Sequence, residues 1–169
     1  MLFFIINIFV HPVLNYKIEI PARFTKFADT VLVESLAIYD LFSMGKTIVP
    51  AKIFATSFLN PDENGKIKEA ITLLIYPIHI REKQKLTVDW VLGMYQGIAE
   101  ERGEREEDRG IVKDSKGRSW CWIKFYHPLT SAREIIIAVE GEKYIYSLIY
   151  ASYGELTGIM DILNSWDFE

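Results

Sequence analysis

The stretch Ala70-Ile71-Thr72-Leu73-Leu74-Ile75-Tyr76-Pro77-Ile78 is apolar at odd and even positions alike. Successive side chains of a strand point to opposite faces, so such a segment has to be covered on both. That requirement points to a layered sandwich built about a sheet. Residues 133–139 and 143–151 repeat the pattern on either side of the tight turn Glu140-Gly141-Glu142. A two-residue loop at 140–141 or at 141–142 pairs odd positions with even ones. Ile135, Ile137 and Val139 then share a face with Tyr144, Tyr146 and Leu148, while Ile136, Ala138, Ile145, Ser147 and Ile149 lie opposite.

The other elements follow from turn and cap signals. Tyr16-Lys17-Ile18-Glu19-Ile20 alternates and stops at Pro21, as a half-buried strand does. The run Asn60-Pro61-Asp62-Glu63-Asn64-Gly65 is dense in turn formers, so 52–60 and 66–80 form a hairpin. Thr87 caps a helix over 88–102, with Asp89 in its first turn and Val88, Val91, Leu92, Tyr95, Ile98 and Ala99 in one stripe. Gly93 and Gly97 weaken it and call for tertiary packing or a close backbone neighbour. Its charged tail, 100–109, reads as a solvated helix end and loop, or as an acidic docking patch. A strand at 109–113 leads through an Asp114–Gly117 turn into a strand within 117–128, which turns at His127-Pro128-Leu129-Thr130 into 133–139. Residues 29–44 are read as a helix that Asp29 or Thr30 caps and Gly45 ends, against the β-preference of Val31 and Val33. Ser152 and Glu155 spell a capping box for a last helix, with Leu156, Ile159, Met160, Leu163 and Trp166 facing inward.

At 169 residues the length fits one domain, 1–169, able to bury a core without staples. A net charge of −4 and no Lys/Arg cluster argue against a nucleic-acid partner. A single cysteine excludes an internal disulfide and a cysteine zinc site. The three histidines are isolated, no calcium-loop pattern occurs, and no metal or other cofactor is expected. Met44-Gly45-Lys46-Thr47 lacks the earlier glycine of a phosphate loop, position 40 being Asp. The opening MLFFIINIFV is too short to span a bilayer, which takes about 20 residues; no integral membrane span is expected. Residues 1–14 are an apolar extension or an extra strand, with a poor signal sequence and a mis-set start codon as alternatives. The expected compartment is the cytoplasm, or the exported fraction if that segment is a signal remnant.

The closing stretch GEKYIYSLIYASYGELTGIMDILNSWDF resembles the end of the PsbP-like superfamily, a hairpin strand, a short helix and a Ser-Phe dipeptide. Lys143-Tyr144, Tyr150-Ala151 and Ser165-Trp166 stand in those places, Trp replacing Phe. YKIEIPARF resembles the family's opening strand, with Phe24 where Trp is common, and the order of elements agrees over 16–168. The resemblance implies an α+β fold, a central antiparallel sheet with helices on both faces. Members named for it include photosystem assembly subunits, a Ran-binding transport factor, bacterial lipoproteins and effector chaperones, and it carries over no catalytic residue.

The richest segment is GRSWCWIKFYHP, residues 117–128. His127 lies six residues from Cys121, about 20 Å along a strand, beyond the reach of a thiol–imidazole pair. Cys121, on the parity of Ile123 and Phe125, reads as core. Trp120, Trp122 and Tyr126 share the other parity, and Tyr144 and Tyr146 share a face of a later strand. Covered, they are core; uncovered, they are an apolar, polar-tipped surface for a protein or peptide partner. The leading expectation is a non-catalytic binding or adaptor module using Trp120, Trp122, Tyr126, Tyr144 and Tyr146. The alternatives are a small hydrolase with a sheet–helix pocket converging on His79 or Cys121, and an acidic inhibitor or immunity-type protein.

Overall fold

The computed structural model describes residues 6–11, 13, 14, 16–40, 45–81 and 84–168, with backbone alone at 6, 30–40, 45–51, 80, 81 and 84. β1 (Ile6–Val10) and β2 (Lys17–Pro21) form an antiparallel pair. β3 (Thr25–Asp40), β4 (Gly45–Pro61) and β5 (Ile67–Pro77) form one meander. After the short pair β6 (His79–Arg81) and β7 (Gln84–Lys85) comes helix α1 (Val88–Glu101). A second meander follows, β8 (Arg105–Lys113), β9 (Ser119–His127), β10 (Ala132–Glu140) and β11 (Tyr144–Ser152), and then helix α2 (Ile159–Ser165). The meanders join through β5 and β11, giving one antiparallel sheet in the order β3-β4-β5-β11-β10-β9-β8. The fold is α+β. Among the described residues no helix is long and apolar enough to cross a membrane.

The turns form where their residues dictate. The Asp62 carboxylate accepts from the amides of Asn64 (2.8 Å) and Lys66 (2.9 Å), and Gly65 takes φ +79°. The Asp114 carboxylate does the same for the amides of Lys116 and Arg118, both at 2.9 Å. Between β10 and β11 the last rung is Glu140 with Ile145, so the loop is longer than the two residues expected. The parity is nonetheless as expected, because Ile137 pairs with Leu148 and Val139 with Tyr146.

The strands with apolar residues on both sides do separate distinct clusters. Ile135, Ile137, Leu148 and Tyr150 join Ile18 and Ile20 of β2 and Ile162, Leu163 and Trp166 of the chain's end. On the opposite parity, Ala138 and Ile145 join Val91, and Ile123, Phe125 and Ile136 join Ala99. Thr87 caps α1 as expected, its hydroxyl accepting from the Trp90 amide at 3.2 Å.

Three expectations are corrected. Residues 29–40 are not helical but belong to β3, paired along their length with β4; residues 41–44 lie outside the described residues. Residues 105–108 are part of edge strand β8 rather than a loop. Ser152 does not cap a helix: it pairs with Glu69 as the last residue of β11, and its hydroxyl accepts from the Gly154 amide at 3.0 Å. The last helix instead begins after Gly158, at φ +75°, and buries Ile162 and Leu163 while Met160 stays exposed. Of the two supports expected for α1, it has tertiary packing, through Val91 and Ala99, and no close neighbour at its glycines, since a Cβ at Gly93 or Gly97 would meet nothing within 4 Å. Gly97→Ala is therefore expected to stabilise the fold by about 0.5–1 kcal/mol, the propensity difference inside a helix. A chemical-denaturation midpoint that falls instead of rising contradicts it.

Candidate functional site

Trp122 sits near the middle of β9, opposite Gly110 on the edge strand β8. A Cβ at Gly110 would lie 3.0 Å from Trp122 Cζ2, so the missing side chain is the space the indole occupies. The ring lies half-buried over the sheet margin. Val112, Ile135 and Ile137 continue the apolar floor, and Leu156, Ile159 and Met160 make the facing wall. The groove between them measures about 450 Å³. A second stretch of about 560 Å³ continues it past Trp122 and Ile135 to Lys124, Arg133, Asp108 and Glu155.

The wall is held by a polar latch. The buried Asp114 carboxylate accepts from Trp120 Nε1 at 2.8 Å and from Arg118 Nε. Arg118 in turn donates from Nη2 to the carbonyls of Leu163 (3.2 Å) and Trp166 (2.6 Å), at the end of α2. Burial by itself would raise the Asp114 carboxyl, but the donors from Trp120 and Arg118 hold it below the ordinary aspartate range. Trp120 stacks on Trp166, ring centroids 5.6 Å apart, and Tyr146 on Phe168 at 3.8 Å.

This packing divides the five aromatic residues singled out in the sequence. Trp120 and Tyr146 are fully covered and are core. Trp122, Tyr126 and Tyr144 are each partly exposed. Only Trp122 lines the groove; Tyr126 lies beside Arg133, whose guanidinium carbon is 5.7 Å from its ring centroid, and Tyr144 packs edge-on against Tyr146. Sequence reasoning missed Ile135 and Ile137 as groove floor, since their parity made them core, and missed Leu156 and Ile159 as its wall.

No protein-family model, curated protein or solved structure matches this chain. The chemistry of the site therefore rests on its own groups. At the polar end Glu107 engages both Lys124 (2.9 Å) and Arg133 (3.6 Å). Asp108, Glu155 and Asp161 make no ion pair among the described residues, so the unbalanced charge along the groove is negative.

A separate groove of about 400 Å³ lies on the other side of the β8 edge, between α1 and the sheet. Cys121 lines it with Asp89, Leu92, Gln96, Ile111 and Ile123, and is half-buried rather than fully packed as expected. Burial, and then the charge of Asp89, push its thiol up. A nucleophilic thiol needs the opposite shift and a neighbouring base, and no histidine lines this groove. His79 stands apart on β6 and is exposed.

Proposed function

We propose that this chain is a non-catalytic binding module of PsbP-like layering, a central antiparallel sheet with helices on both faces. Its Trp122 groove receives a segment of a protein or peptide partner. The observation that carries the reading is the Trp122 indole lying half-exposed in a groove whose remaining floor is aliphatic. A large aromatic ring at the centre of an apolar trough is the usual anchor of a protein contact. The layering is supported by α1 and α2 belonging to clusters built on opposite parities of the central strands. The uncompensated Asp108, Glu155 and Asp161 favour a segment that places lysine or arginine beside its apolar anchor.

The test is a random peptide library displayed against the wild-type protein. Recovered peptides are expected to combine an aliphatic or aromatic residue with Lys or Arg and to bind Trp122→Ala at least tenfold more weakly. Phe27→Ala, a change at a residue exposed to 72%, serves as the control and leaves their affinity unchanged. Peptides that bind W122A and wild type alike defeat the reading.

A further inference from the structure

β4 pairs with β5 from Phe54 onward, and its remaining residues, Gly45 to Ile53, pair only with Leu32 to Asp40 of β3 among the described residues. At about 3.3 Å per residue this free ribbon runs roughly 30 Å. Isolated two-stranded ribbons are marginal in water, and a solvated one has a polar sequence. This one does not. The register puts Leu36, Ile38 and Val49 on one face together with Glu34 and Asp40. It puts Ala37, Tyr39 and Ile48 on the other together with Lys46 and Lys52. Both acids therefore fall on one apolar face and both lysines on the other.

That segregation says what covers the arm. Its charges cancel, two acids against two lysines, so it offers no net attraction to an anionic membrane or to nucleic acid. Strand addition along β4 is blocked at Pro50, which has no N–H; inside the β3–β4 ladder its nitrogen belongs on the open edge. Among the described residues the outer edge of β3 is open to strand addition, but edge pairing would leave both apolar faces uncovered, so the covering contact comes through the faces. A second copy of the same arm supplies the complement at the same spacing, lysine face upon acid face, with apolar residues between. Outward of the Leu32–Ile53 rung each face offers eight ladder positions, fewer than one side of a standard interface, so a single stacked contact is weak and grows in with concentration.

We propose that the chain self-associates through this arm, the acid face of one copy stacking on the lysine face of the next. The contact is head-to-tail, because a two-fold axis would set acids on acids or lysines on lysines. Assembly then proceeds to a ring or an open chain, and it weakens as salt rises. The inference is independent of the Trp122 groove.

Sedimentation velocity of the full chain over a wide concentration range tests it. Wild type is expected to grow beyond the monomer as concentration rises. Glu34→Lys with Asp40→Lys makes both faces positive, and Lys46→Glu with Lys52→Glu makes both negative. Each double variant alone is expected to associate at least tenfold more weakly, and an equimolar mixture of the two to associate again. Replacing residues 34–51 by Asn-Gly between the paired Val33 and Lys52 removes the arm without touching the core and is expected to give a monomer. A wild-type chain monomeric throughout, a mixture that stays monomeric, or a trimmed chain that still associates overturns the proposal.

Discussion

Asp114→Ala is expected to lower the unfolding free energy by about 3–5 kcal/mol, the range for breaking a buried charge pair by removing one partner. One carboxylate here satisfies the Trp120 indole, the Arg118 side chain and two turn amides. Its removal leaves the Trp120 N–H buried without an acceptor and strips Arg118, only 19% exposed, of its counter-charge. Arg118 is also the donor that closes the carbonyl end of α2, so the loss spreads to the groove wall. Asp114→Asn keeps one acceptor oxygen and is expected to lose less. Guanidinium unfolding followed by far-UV circular dichroism measures both. A loss under about 1 kcal/mol for D114A would mean that α2 docks by apolar contact alone.

The same carboxylate gives the latch a pH dependence whose sign is fixed. Its folded pKa lies below the ordinary value of 3.8. Its contribution is therefore complete above about pH 4 and drains away as pH falls through the lower folded value. The wild-type melting temperature is expected to fall more steeply than that of D114A on acidification below pH 4.

What the sequence made legible was what local chemistry alone decides. Thr87 with Asp89 announced α1, and the Asp62 and Asp114 turns were evident because their carboxylates bond amides within four residues. The β10–β11 face assignment followed from parity, and lengthening the loop by an even number left it intact. Residues 29–40 were misread because cross-strand pairing with the next strand, β4, overrides the local helix signals of Asp29 and Gly45. Asp29, taken as a helix cap, instead accepts across the ladder from Thr56 Oγ1 at 2.8 Å. The Ser152 capping box failed for the same reason: pairing with Glu69 outweighs a local cap. Trp120 and Trp122 share a parity, yet one is core and the other lies half-exposed. What parts them is cover from Trp166 and Phe168, supplied by residues more than forty positions away that no pattern within β9 encodes.

Trp166→Ala is expected to cost about 3–5 kcal/mol, whereas Trp166→Phe stays within about 1.5 kcal/mol of wild type. The indole is fully buried and touches Tyr16, Trp120, Tyr146 and Phe168, with centroid separations of 5.6 to 5.9 Å. Truncation to alanine opens a cavity where β2, β9 and β11 meet, and those strands cannot close over it without breaking their ladders. Phenylalanine removes less volume and also removes a liability. Trp166 Nε1 is buried with no hydrogen-bond partner among the described residues, a donor whose desolvation costs about 1–3 kcal/mol. The gain from deleting that donor offsets part of the lost packing. The neighbouring Ser165 is unaffected, since its hydroxyl accepts from the Glu19 amide at 2.9 Å and donates to the Ile162 carbonyl at 2.8 Å. The Ser-Phe dipeptide of the PsbP-like pattern would therefore fit this site nearly as well as the Ser-Trp found here. Equal losses for W166F and W166A in the same denaturation experiment would refute that, and would point to a polar partner holding the indole N–H in solution.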